Sequence, residues 1–174
     1  IARIYGTFPS EDDEHTLTYA GDWIDTELME LIEKKYTGAQ LTKDMCRGWK
    51  EQYSYVGDDE RECMVELSVE GKKQVVDIGD LVREACEGAV PYVVAGIKSV
   101  VATADPEYQP ILRNNIILSG GGSLIEGIAG RVADELSDIG DVNVWCCDDP
   151  INQVANGALK LAQIMPDEQY TSIN

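Results

Sequence analysis

The run Asn114-Asn115-Ile116-Ile117-Leu118-Ser119-Gly120-Gly121-Gly122-Ser123-Leu124-Ile125-Glu126-Gly127 sets three consecutive glycines between a short apolar strand and an amphipathic helix. Three bare Cα atoms let the backbone approach something that a side chain would exclude. A helix start beside them offers free N–H donors. Such a corner can hold part of a nucleotide. The same residues also serve as a plain tight turn, and the glycines alone do not choose between the two. Two other phosphate-binding patterns do not fit. The dinucleotide fingerprint requires glycine where Ile125 stands, and the P-loop requires Lys then Ser or Thr where Ile128 and Ala129 follow Gly127. Neither device is expected to grip phosphates here.

The elements that must position this corner follow from periodicity. Ile1 to Phe8 reads as a strand stopped by Pro9, and Thr16 to Tyr19 as a second. Gly21-Asp22 precedes a helix to about Lys35, with Ile24, Leu28, Leu31 and Ile32 on one stripe. Thr42 caps a helix to about Tyr55; Met45, Trp49, Tyr53 and Val56 share one face, and Arg47, Lys50, Glu51 and Ser54 the other. Cys63, Val65, Leu67 and Val69 alternate as a half-buried strand, turned at Glu70-Gly71 into a partner that runs through Ile78. Asp80 opens an apolar segment to about Ala104, which Pro91 is expected to kink or divide. A helix from Leu124 to about Asp138, a strand from Val142 to Cys146 and a helix from Asn152 to Met165 complete the chain. Residues 1–20 and roughly 90–174 alternate strand and helix as an α/β layer. Residues 21–89 form a helix–helix–hairpin insertion, and a cleft between two such lobes is a favoured ligand site.

The 174 residues suffice for one sizeable domain or two small lobes, and 44% hydrophobic with 26% charged residues is ordinary for a soluble globular protein. A net charge of −18 argues against nucleic acid and against anionic membrane surfaces as partners. Glu11-Asp12-Asp13-Glu14 and Asp58-Asp59-Glu60 read as solvated loops, and so much acid would make any self-assembly depend on salt. The five cysteines show no CxxC spacing and His15 is the only histidine, so buried reduced thiols are expected rather than zinc or disulfides. No apolar run is read as a membrane span and no signal-peptide pattern opens the chain, which makes the cytoplasm the expected location.

Leu118-Ser119-Gly120-Gly121-Gly122, with Gly127-Ile128-Ala129 and Arg131, closely resembles the adenosine motif of the actin superfamily. Arg47-Gly48-Trp49-Lys50-Glu51-Gln52-Tyr53-Ser54-Tyr55-Val56 resembles the helix of that superfamily whose Lys-Glu pair reaches ribose and purine. Gly21-Asp22-Trp23-Ile24-Asp25 resembles the entry to its inserted subdomain. Within the superfamily the likeness is greatest to bacterial filament proteins that organise magnetosomes. It rests on Tyr53-Ser54-Tyr55-Val56-Gly57, Arg113-Asn114-Asn115, Ala155-Asn156-Gly157-Ala158-Leu159-Lys160 and the ending Met165-Pro166-Asp167-Glu168.

The resemblance implies the C-terminal half of an α/β, actin/ribonuclease-H-like ATPase fold. Subdomain IIA would occupy 1–20 and 90–174, and the inserted subdomain IIB 21–89. Lys50 and Glu51 would flank ribose and base with Arg47 nearby. Gly120, Gly121 and Gly122 would lie against the adenosine, and Leu124 and Ile125 would form an apolar wall. Without the family, Arg47 and Glu51 at i, i+4 read as a surface ion pair, and Met45, Trp49 and Tyr53 as core. The implied ligand is ATP or ADP with Mg2+. The family's two phosphate-gripping glycine hairpins are absent here, and Ile1-Ala2-Arg3-Ile4 resembles the strand that leaves the second. This chain alone is therefore expected not to hydrolyse ATP. Filament self-association and protein adaptors on magnetosome vesicles are the implied partners, without nucleic acid or direct membrane binding. The alternatives are a free-standing module that caps or regulates filaments, and a sugar- or acetate-kinase relative.

Overall fold

A computed structural model describes residues 1–4 and 14–166. Strand β1 (Ala2–Arg3) pairs antiparallel with β2 (Glu14–His15), with Ala2 opposite His15. The remainder of the strand expected to Phe8 and the residues Glu11-Asp12-Asp13 lie outside the described residues. The second strand is not at Thr16–Tyr19 but ends at His15. The segment after it packs instead of pairing. Leu17 lies close enough to Gly96 that a Cβ there would meet it at 2.9 Å, and the Tyr19 ring stacks on Tyr92 with centroids 3.7 Å apart.

Helix α1 (Gly21–Lys35) ends where expected, takes Gly21 and Asp22 into its first turn, and buries Ile24, Leu28 and Ile32, with Leu31 half-buried. Helix α2 (Lys43–Tyr53) starts at Thr42, whose hydroxyl accepts from the Met45 N–H at 3.2 Å. It stops two residues short of the expected end because Ser54 to Val56 leaves as extended chain. Its buried residue is Cys46, and Trp49 and Tyr53 pack partly buried against the core. Lys50 does not lie on the solvent face but turns inward.

Strands β4 (Met64–Val69) and β5 (Lys72–Asp77) form the expected hairpin, with Val65 opposite Val76. Cys63, Val65 and Leu67 point inward at the period of two. A short strand β3 (Ala39–Gln40), invisible to periodicity at two residues, adds to β4 in the order β3-β4-β5. Helix α3 (Gly79–Thr103) runs unbroken through Pro91, so the expected division does not occur. Pro91 lies on the exposed side, where the helical carbonyl that loses its donor is within reach of water. At 25 residues and a mean hydropathy of 1.3 over its best window, α3 is long and apolar enough to cross a membrane, contrary to the sequence reading. Half of that window is buried, because α3 is the central helix against which α1 and α5 pack.

Helix α4 (Gln109–Arg113) leads into β6 (Ile116–Leu118), which pairs in parallel with β7 (Val144–Cys146), Ile117 opposite Trp145. Between them lie α5 (Ile128–Leu136) and a 3-10 turn at Ser137–Ile139. One apolar cluster runs from Leu28 and Ile32 through Leu67, Val82 and Val90 to Val132 and Leu136, all of them closed to solvent. Each such aliphatic side chain contributes about 1.5–3 kcal/mol on leaving water. Helix α6 (Gln153–Ile164) stands outside this core, with Val154 and Leu161 exposed.

All five cysteines are free, and Cys46, Cys63 and Cys86 are buried. Burial pushes the Cys46 and Cys86 thiols up to about 11, with Asp25 adding to the shift at Cys46. A buried thiol without its thiolate form is inert. At pH 8 the folded protein should therefore react with 5,5′-dithiobis(2-nitrobenzoate) only at Cys146 and Cys147, Cys147 first. Cys46, Cys63 and Cys86 should react only after denaturant is added. Rapid labelling of more than two thiols without denaturant would contradict this core.

Candidate nucleotide-binding site

Leaving β6, the chain reaches Gly120 with φ +84°, a conformation open to glycine and costly for other residues. A 3-10 turn at Gly121–Leu124 follows. The Gly120 N–H donates to the Pro150 carbonyl at 2.9 Å, and the Ser123 hydroxyl donates back to the Gly120 carbonyl at 2.8 Å. The turn is thus pinned from both sides by its own chain. A Cβ built on Gly121 or on Gly122 meets nothing within 4 Å. Nothing in the described fold demands that these two positions be bare.

The α-helix expected from Leu124 begins at Ile128 instead. Residues 125–126 are held extended, because Glu126 forms a parallel bridge with Tyr55: its N–H donates to the Ser54 carbonyl at 3.2 Å, and its carbonyl accepts from the Val56 N–H at 2.9 Å. Gly127 then caps α5 at φ +82°, and a Cβ there would sit 2.9 Å from the Val56 carbonyl oxygen. Leu124 and Ile125 diverge: Leu124 is 56% exposed and Ile125 only 7%, packed into the core.

On α2, Lys50 is held from below. Its Nζ lies 2.6 Å from Asp25 Oδ1 and donates to the Gly21 carbonyl at 3.0 Å, and its side chain is 14% exposed. Arg47 donates through Nε to Asp25 Oδ2 at 3.3 Å and through Nη2 to Asp22 at 3.0 Å, and it approaches Asp44 at 3.8 Å. The bond to Asp25, with the charge of Asp22, raises the guanidinium pKa above its ordinary value. The i, i+4 pair of Arg47 with Glu51 is therefore not formed. Glu51 is exposed and carries no ion pair among the described residues.

The bridge at Glu126 brings the two motifs to one corner. The end of α2 runs directly into Ser54 and Tyr55, which fasten the exit of the glycine turn. Arg61 and Glu126 add a two-bond pair at 2.6 and 2.9 Å, a geometry that favours specificity as well as strength. This bond holds the Glu126 carboxyl below its ordinary range. The Arg61 guanidinium also lies 4.7 Å over the Tyr55 ring, and Tyr55 donates to the Gly79 carbonyl at 3.3 Å. Behind them, Glu87 accepts from the Gly57 N–H at 2.8 Å and from Arg131 at 3.0 Å.

A recess of about 480 Å³ lies beside the turn, lined by the segment 123–130 and by Cys146, Cys147, Asp148 and Pro150. Leu124 and Ile125 line it; Arg47, Lys50, Glu51 and the three glycines do not. No group of three or more His, Cys, Asp or Glu side chains among the described residues could hold a metal ion.

Sequence reasoning missed Asp25, Arg61 and Glu126. Asp25 gives a local signal, an acid beside Ile24 on a stripe that continues at Leu28. Arg61 and Glu126 are 65 residues apart and leave no local pattern.

A model of the MreB/Mbl protein family matches residues 13–169. The actin-like protein MamK of Paramagnetospirillum magneticum is 34% identical over 173 residues, which is 99% of this chain and 50% of that protein. The chain thus spans about half the length of the curated relatives it matches. A MamK double helical filament superposes with a TM-score of 0.88 at 35% identity, over 92% of this chain and 50% of that one. A non-polymerising MamK mutant bound to AMPPNP superposes with a TM-score of 0.84 at 35% identity, over 91% and 49%. By sequence and by fold alike, the chain belongs to the MreB/Mbl family of actin-like proteins.

Proposed function

We propose that this chain is the adenosine-binding half of a filament-forming, ATP-dependent actin-like protein that organises magnetosomes. The observation that carries the reading is the open space over Gly121 and Gly122. Glycine is required at Gly120 by the backbone, and over its two bare neighbours the chain leaves space in which a molecule can lie against the turn. The bridge from Tyr55 to Glu126 supports the same reading, since it joins the segment that follows α2, the helix that carries Lys50 and Glu51, to the exit of this turn. The AMPPNP-bound MamK mutant supports a nucleotide as the ligand, AMPPNP being an ATP analogue with a nitrogen bridge between its last two phosphorus atoms.

In this reading Glu51 accepts from the ribose hydroxyls, as a carboxylate without a cationic partner can. Lys50 and Arg47 supply positive potential beside it. Gly120, Gly121 and Gly122 lie along the adenosine, and Leu124 offers its exposed apolar surface next to them. Ile125 supports the turn from the core side. Residues 1–20 and 90–174 form subdomain IIA and residues 21–89 subdomain IIB. Mg2+ and the phosphates are held outside this chain, in the half that MamK has beyond the matched region, so ATP hydrolysis belongs to the intact protein. The MamK filament supports self-association. Filaments would lie in the cytoplasm and reach vesicles through protein adaptors, since a surface of net charge −18 repels anionic lipid.

Glu51→Ala in the full-length protein tests the site. ATP affinity should fall by about 1–3 kcal/mol, the scale of a lost charged hydrogen bond. Isothermal titration would read it. Unchanged affinity in the folded variant would remove Glu51 from the site.

A further inference from the structure

Asp25 is the one charged residue that the fold buries completely among those described, at 0% exposure. It stands beside Ile24 and one turn before Leu28, where an apolar residue would simply continue the core. Burying a carboxylate is costly unless cations repay it. Here two cations arrive from α2. Lys50 Nζ sits 2.6 Å from Oδ1 as an ion pair without hydrogen-bond alignment, and Arg47 Nε donates to Oδ2 at 3.3 Å.

The consequence falls on a third residue. Arg47 and Glu51 are spaced i, i+4 on α2, the spacing at which opposite charges pair on a helix surface. They do not pair. Arg47 is drawn toward α1 by Asp25, with Asp22 at 3.0 Å as a second holder, and Glu51 is left exposed with no ion pair among the described residues.

We propose that Asp25 is a positioning residue: it holds Arg47 and Lys50 on the α1 side of α2 and so keeps the Glu51 carboxylate free to accept from the hydroxyls of a bound nucleoside. The inference rests on the nucleotide site proposed above and adds a sorting of charges to it. Glu51 keeps both carboxylate oxygens open to a ligand only while its i, i+4 cation is engaged elsewhere. With its carboxylate buried, this anchor is screened by salt less than a fully exposed pair would be.

The test is Asp25→Asn in the full-length protein, which keeps the shape and removes the charge. Circular dichroism first establishes that the variant folds. ATP affinity should fall about tenfold, as Arg47 swings onto Glu51 and occupies it. The preference for ATP over 2′,3′-dideoxy-ATP should shrink toward one, because the hydroxyls lose their acceptor. A general loosening of the site would weaken both nucleotides equally and leave the preference intact, which would overturn the proposal. In a Glu51→Ala background, Asp25→Asn should change affinity less than twofold. A full tenfold loss there would also overturn it.

If Asp25→Asn does not fold, Asp22→Asn removes the exposed second holder of Arg47. It should narrow the same preference in a smaller step, and an unchanged preference would count against the sorting. Should Glu51→Ala itself leave ATP affinity unchanged, the nucleotide site falls. If Glu51→Ala weakens binding and the aspartate variants do not narrow the preference, only the role of Asp25 falls.

Discussion

Gly121→Val in the full-length protein lowers ATP affinity by at least about 100-fold, ~2.8 kcal/mol, while the melting temperature stays within about 2 °C of the parent. The two halves of this expectation come from one geometric fact. A Cβ on Gly121 meets no atom of the chain within 4 Å, so the added isopropyl group costs the fold little. Nor does the backbone resist, since Gly120 has positive φ and Gly121 does not. Surface substitutions free of such constraints change stability by about 0.5 kcal/mol or less. The same isopropyl group occupies the space in which the adenosine is proposed to lie, and a ring system cannot share it. Equilibrium titration with a fluorescent ATP analogue, beside a thermal melt, reads both quantities. A folded variant that binds ATP like the parent would show that the glycines only turn the chain.

The second large effect concerns stability. Gly79→Ala is expected to cost about 3 kcal/mol, at the upper end for inserting one carbon into packed structure. A Cβ at Gly79 would lie 1.8 Å from the Arg61 carbonyl oxygen and 3.0 Å from its carbon. These are backbone atoms, so no rotamer change relieves the overlap. Either the first turn of α3 or the chain at Arg61 must move, and both are tied. The Asp77 carboxylate accepts from the Gly79 N–H at 2.9 Å and from the Cys63 N–H at 2.8 Å, while Tyr55 donates to the Gly79 carbonyl. The gain in helix propensity on replacing glycine is about 1 kcal/mol at most and does not offset this. Gly130 in α5, where a Cβ meets nothing within 4 Å, is the matched control, and alanine there should leave the protein as stable or slightly more so. Urea titration of the two variants separates the cases. Equal midpoints would mean that Arg61 and Gly79 do not approach as described.

What the sequence disclosed and what it withheld divide along the range of the interactions. Helix α1, the Thr42 cap and the β4–β5 hairpin are written in residues two to four places apart, and each stands within two residues of where that local pattern puts it. The glycine run was visible for the same reason. The start of α5 was misplaced by four residues because its cause, the Tyr55–Glu126 bridge, joins segments that share no local pattern. The inward turn of Lys50 and the diversion of Arg47 follow from Asp25, which lies on another helix. Pro91 does not divide α3 because the apolar packing on the other side of the helix carries it across the lost hydrogen bond. The likeness to actin-like proteins reached further than periodicity because it compares ordered motifs over the whole chain. It named Lys50 and Glu51 without indicating what sorts their charges.

The pairing of Arg61 with Glu126 has a consequence for how the chain is made. A ribosome adds about 5–20 residues per second. Glu126, 65 residues after Arg61, therefore appears about 3–13 s later. The β4–β5 hairpin is synthesised early in that interval, since its second strand ends at Asp77. Until Glu126 has been made, residues 54–61 have no clamp. The nascent chain thus carries an open seam beside Tyr55 until the glycine segment follows it out. A pause in translation between the two partners would prolong that exposure without altering the finished molecule.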